Sequence, residues 1–181
     1  ELGSLYSGQV LSYTKILGQL HDAGNTTTLS HYLKLLGTAG LLTGLDKYSG
    51  SHVRIRSGSP KFQVYNNALL SSQNLAHFSE ARKNPAEWGR VVESAVGAHL
   101  ANEAVKGAFS LYYWRDRNDE VDFVIERNEK LIGIEVKSTF PRNKRGLSAF
   151  HKRYNPFKTI SIDDRTLPWY EFISINPSDL F

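Results

Sequence analysis

The chain has no cysteine and no methionine in its 181 residues. Without cysteine there are no disulfides and no thiolate metal sites, a composition that fits a reducing compartment such as the cytoplasm. The lack of any methionine, an initiator included, leads us to expect a processed or excised piece of a longer protein. No apolar run approaches the roughly 18 residues of a membrane-spanning helix, and no basic-then-apolar leader opens the chain. Neither a membrane span nor a secretion signal is therefore expected.

What is present is ordinary for a globular protein: 40% apolar and 22% charged residues. The formal net charge of +4 is too small to imply nucleic-acid binding, but its distribution is uneven. Lys137, Arg142, Lys144, Arg145, Lys152, Arg153 and Lys158 fall in a stretch without a single acidic residue. Such a segment can track a polyanion backbone, DNA in particular; a solvated face or loop has the same composition.

Two parts are legible, 1–58 and 59–181. In the first, Tyr13, Ile16, Leu17 and Leu20 mark one face of a short helix capped by Ser12. A second helix enters through Thr26, Thr27 and Thr28, carries Leu29, Leu33 and Leu36, and stops at Gly37 or Gly40. An apolar piece, Leu41 and Leu42, follows it, and Val53 to Arg56 alternates like a strand. Helices followed by a small hairpin predict a winged-helix-like lobe. Thr27, Ser30, His31 and Lys34 are its only candidates for reading a groove, so a partner-docking role competes with duplex binding.

Gly58-Ser59-Pro60 marks the boundary. Beyond it, Lys61 to Tyr65 reads as a strand, Asn66 to Leu70 as the start of a short helix and Ser79 to Asn84 as a loop. Asn84-Pro85-Ala86-Glu87 is a strong helix start, and Trp88, Val92, Val96 and Leu100 supply the apolar side of a helix reaching Val105. Glu93 lies beside that side, with Gly89 and Gly97 one turn away, where another backbone can come close.

The chemistry is concentrated in Glu120 to Ile125 and Ile132 to Lys137, two strands joined by a turn at Arg127 to Lys130. Alternation places Asp122 opposite the Val121, Phe123 and Ile125 face, and Glu135 on one face with Lys137. A hairpin would bring Asp122 and Glu135 together, where their repulsion calls for a cation or a lysine. Carboxylates suit magnesium, and an adjacent lysine can orient water or offset charge on a phosphate. A plain lysine–carboxylate pair on a solvated hairpin accounts for the same letters. Asp116, Asp119, Glu120 and Glu126 read as turn or rim charges, and Tyr112 and Trp114 as sheet core. His99 and His151 lack a zinc spacing or a nucleophile partner.

Thr28 to Leu36, Tyr112-Tyr113-Trp114-Arg115, Glu120 to Val124 and Ile134 to Ser138 together resemble the DUF4143 domain, the C-terminal region of predicted prokaryotic AAA+-type ATPases. That region is similar to the PD-(D/E)xK nucleases. The resemblance implies a mixed α+β and α/β fold: a winged-helix-like lobe, then a restriction-endonuclease-like α/β core. It also implies a catalytic set of Glu93, Asp122, Glu135 and Lys137, with magnesium or manganese on Asp122, Glu135 and Glu93. An ATPase domain would precede this region; no Gly-x-x-x-x-Gly-Lys-Ser/Thr loop occurs here, so any ATP site lies elsewhere. The expected function is metal-dependent DNA phosphodiester hydrolysis or DNA binding. The alternative is a non-catalytic recognition or assembly module coupled to the ATPase.

Overall fold

A computed structural model describes residues 6–20, 24–50, 58–72, 78–137 and 145–181. Two helices come first. Ser12 caps α1 (Tyr13–Leu17) by accepting the Lys15 N–H at 3.2 Å, and Asn25 caps α2 (Thr26–Thr38) by accepting the Thr28 N–H at 3.0 Å. Both caps satisfy amide donors that a first helical turn leaves unpaired. Gly40, at φ 69°, turns the chain out of α2. Leu42–Lys47 then forms a strand, β1, where only an apolar connector was expected. The anticipated strand from Val53 to Arg56 lies outside the described residues.

β2 (Lys61–Val64) runs antiparallel to β1, with Leu42 opposite Val64 and Leu45 opposite Lys61. Two single-turn helices follow, α3 (Ala68–Ser71) and α4 (Phe78–Ala81); the second takes up part of the expected loop. The long helix α5 (Pro85–Val105) starts where its sequence signal places it, Asn84 accepting from the N–H groups of Ala86 and Glu87. Then come β3 (Ser110–Asp116), β4 (Asp119–Arg127), β5 (Lys130–Val136), α6 (Arg145–Tyr154), β6 (Lys158–Ile162) and α7 (Trp169–Phe172).

The result is a mixed α/β fold on one open six-stranded sheet, ordered β2-β1-β3-β4-β5-β6. β1 lies parallel to β3 and β5 parallel to β6; the other neighbours are antiparallel. A strand from the first part of the sequence is thus a neighbour of strands from the second. α5 lays Val92, Val96 and Leu100 on one face against Tyr113, Phe123, Ile125, Ile132 and Ile134. On the other face α6 sets Leu147 and Phe150 against Trp114, Val121, Val124 and Leu131. α1 and α2 cover Phe62 and Val64 with Ile16 and Leu33. Because both faces are covered, β4 is buried continuously from Val121 to Ile125.

A β-bulge corrects the expected facing of β4. Tyr112 pairs with Val124 and Trp114 with Val121, which leaves Tyr113 alone opposite Asp122 and Phe123. The extra residue breaks the alternation: Val121 packs on the α6 side, whereas Phe123 and Ile125 pack on the α5 side. Asp122 accordingly turns toward α5 with Phe123. Both lie near the Lys61 ammonium, at 3.7 Å for Asp122 Oδ1 and 4.7 Å for the Phe123 ring centre.

Candidate functional site

At the end of the β4–β5 hairpin an open cavity of about 420 Å³ is lined by Glu93, Asp122, Glu135 and Lys137, together with Asp119, Glu120 and Arg145 at its rim. Three elements supply the four side chains that the sequence singled out. β4 and β5 register Phe123 with Ile134; one step further along lie Asp122 and Glu135. There the ladder gives way to a side-chain contact, the Val136 N–H donating to Asp122 Oδ2 at 2.7 Å. This bond fixes the carboxylate at the strand edge. Lys137 is held by its own N–H, which donates to the Ile162 carbonyl at 2.8 Å, and its ammonium lies 3.4 Å from Glu135 Oε1.

Glu93 enters from α5, and the reason it comes so near the sheet is Gly97 one turn on. A Cβ at Gly97 would stand 2.0 Å from Gln63 Oε1 and 2.7 Å from Phe123 Cζ. The helix can approach the sheet there only because hydrogen replaces a methyl group. On the opposite side, a Cβ at Gly146 would stand 2.0 Å from the Glu120 carbonyl oxygen, so the first turn of α6 sits directly on β4 beside the cavity.

The sequence reading missed one participant, Lys61. Its side chain has no exposed surface and its Nζ lies 2.7 Å from Glu93 Oε1. It also donates to the Asp122 carbonyl at 3.1 Å. Lys61 and Gln63 alternate with Phe62 and Val64, which reads as a strand with one wet face. α5 covers that face instead, with Gln63 Nε2 donating to the Ser94 carbonyl. Burial alone would lower the Lys61 pKa, but the Glu93 and Asp122 carboxylates outweigh it and hold the amine above its ordinary value. Lys137 follows the same pattern: partial burial opposes the charge, and Asp122 and Glu135 more than restore it. Both amines are therefore cations at neutral pH. Lys137 can offset negative charge but cannot accept a proton.

Among the described residues, no group of three or more His, Cys, Asp and Glu side chains is placed to hold a metal ion. Magnesium, however, is commonly held by only one or two carboxylates, with waters and phosphate oxygens completing its shell. Asp122 and Glu135, facing an open cavity, are a donor set of that kind. Glu93 is engaged by Lys61.

The basic segment is less open than its composition implies. Arg145 pairs with Asp119 at 2.6 Å, Arg153 with Asp116, and Lys158 donates to the Leu180 carbonyl at 2.9 Å. Arg142 and Lys144 lie outside the described residues. His99 contacts the Ile175 carbonyl at 2.8 Å, and Trp114 is core. Thr27, Ser30, His31 and Lys34 line a shallow cleft on α2. No described helix is long and apolar enough to cross a membrane.

No curated protein and no solved structure matches this chain. A family model does match, over a span that takes in Glu93, Asp122, Glu135 and Lys137 but not Lys61. The model of the family described as a domain of unknown function, DUF4143, matches residues 88–174.

Proposed function

We propose that the cavity hydrolyses DNA phosphodiester bonds, with magnesium or manganese held by Asp122 and Glu135. The observation that carries this reading is the meeting of Glu93, Asp122, Glu135 and Lys137 in one open cavity. A bound divalent cation there supplies Lewis-acid polarisation of the phosphate and a water of lowered pKa. The chain's own residues do the rest. Val136 holds Asp122 through Oδ2, leaving Oδ1 turned inward. Lys137, cationic and at the mouth of the cavity, stabilises charge that accumulates on the phosphate oxygens. Glu93 acts through Lys61, fixing the ammonium that sits behind Asp122.

Helices on both faces of the sheet, in the order α5-β3-β4-β5-α6-β6, support a restriction-endonuclease-like core for this reading. α1 and α2, followed by β1, support a winged-helix-like lobe over residues 1–58. DNA would approach along the segment from Lys137 to Lys158. The family resemblance supports a cytoplasmic protein in which this region works beside an AAA+-type ATPase.

The test is cutting of supercoiled plasmid and branched DNA in millimolar Mg²⁺ or Mn²⁺, stopped by a chelator. Asp122→Ala and Lys137→Ala should each lower the rate about 100-fold or more. Cutting by both variants at the rate of the unaltered protein would remove the assignment. A second reading, a non-catalytic recognition or assembly module beside the ATPase, is favoured by the Lys61 ion pairs, which neutralise carboxylates without an added ion. It expects DNA retention with no cutting, unchanged in both variants.

A further inference from the structure

Lys61 does more than fill space beneath the site. Its ammonium is enclosed by three oxygens from two elements: Glu93 Oε1 at 2.7 Å, the Asp122 carbonyl at 3.1 Å and Asp122 Oδ1 at 3.7 Å. The Phe123 ring closes a fourth side, with its centre 4.7 Å away. Oxygen donors of this hardness, two of them from carboxylates, are what a divalent cation recruits. The structure puts a tethered monovalent cation there.

We propose that Lys61 is a resident cation that bars a divalent ion from the Glu93–Asp122 pair, restricting the cavity to a single exchangeable ion at Asp122 and Glu135. The carboxylates of the cavity are thereby divided into two sets. Glu93 and one edge of Asp122 belong to the ammonium, while Glu135, with the Lys137 ammonium 3.4 Å from its Oε1, lines the open cavity with Asp122, where an ion from solution would enter. Lys61 is in this sense a positioning residue. It acts on the substrate phosphate through Asp122, whose backbone and side chain it holds from behind, and it supplies a positive charge that dilution or chelation cannot remove. It comes from β2, outside the matched family segment, so the charge balance of the site is completed by a strand that the four sequence-singled residues do not include.

The proposal rests on the hydrolytic reading only for the place of the exchangeable ion, and the experiment separates the two. Mn²⁺ alone is titrated into the protein, into Lys61→Ser and into Lys61→Ser/Glu93→Gln, with bound ion counted from loss of the free Mn²⁺ electron-paramagnetic signal and folding followed by circular dichroism. Lys61→Ser should bind one Mn²⁺ more per chain than the unaltered protein, and adding Glu93→Gln should abolish that gain. If Lys61→Ser does not fold without metal, refolding in millimolar Mn²⁺ should recover it. Equal stoichiometry in Lys61→Ser and the unaltered protein, two ions in the unaltered protein, a gain that survives Glu93→Gln, or failure to refold in Mn²⁺ each overturns the proposal. An unaltered protein that binds no Mn²⁺ and cuts nothing, beside a variant that gains one ion, would sink the hydrolytic reading and the exchangeable ion with it, and leave the exclusion of a divalent ion by Lys61 standing. A protein that cuts with one ion, beside a variant that gains none, would do the reverse.

Discussion

A lysine with no exposed surface must be matched by carboxylates within a few ångströms or lose its charge. Lys61 meets that condition through Glu93 and Asp122. Replacing it with methionine strands two acids against an apolar wall, and removing one partner of a buried pair costs about 3–5 kcal/mol. Lys61→Met should lose stability of that order in urea unfolding, and Lys61→Met/Glu93→Gln should recover much of it. A single mutant as stable as the parent would show that the ion pair is dispensable. Asp163 offers a second test at this scale. Burial pushes its carboxyl up, but hydrogen bonds from the Ser161 hydroxyl and the N–H groups of Thr166 and Arg165 outweigh it and hold the pKa below 3.8. A depressed folded pKa means stability that is complete above the unfolded value and drains as pH falls from 3.8 through the lower folded value. Asp163→Asn should flatten that acid limb of the stability curve; an unchanged limb would deny Asp163 the role. The four carboxylate and lysine positions were legible in the sequence because their spacing is local to one hairpin and one helix. Lys61 was not, because its meaning depends on which helix covers β2.

Tight turns and close approaches set what the elements tolerate. The β4–β5 hairpin turns through Asn128 and Glu129, at φ 49° and 66°, between Arg127 and Lys130, which pair with each other. Two left-handed residues in a two-residue loop favour asparagine followed by glycine. Glu129→Gly should therefore stabilise the protein by about 0.5–1 kcal/mol, read as a raised melting temperature. Gly97 works in the other direction. A methyl group there meets Gln63, whose amide is tied to the Val64 and Ser94 carbonyls, so that side chain cannot swing aside cheaply. Gly97→Ala should cost about 1–3 kcal/mol and displace Glu93 from the cavity. An alanine variant with parental stability would show that α5 has room to move outward. The turn at Arg127 to Lys130 and the α5 start at Asn84 were readable from short-range chemistry. The bulge at Asp122 and Phe123, opposite Tyr113, was not: a bulge is a property of two strands together, and β4 alone shows only its alternating letters.

At the scale of the molecule, β1 is the strand that joins the two halves of the sequence. Among the described residues β2 reaches the rest of the sheet only through it, and β3 loses its parallel neighbour without it. A chain shortened to 58–181 should therefore fail to melt cooperatively and should aggregate through the bared edge of β3, as seen by gel filtration and thermal scans. A monomeric, cooperatively folding fragment would show that the core stands alone. Composition places a break near Gly58, but it carries no information about which strands pair across that break. The same ladder carries a further consequence. Side chains in a strand alternate strictly, so slipping β2 by one residue against β1 would withdraw the Lys61 ammonium and offer the Phe62 ring to Glu93 in its place. The electrostatics of the cavity therefore has no intermediate setting on this side: it is tied to an all-or-none choice of strand alignment made some distance away along the chain.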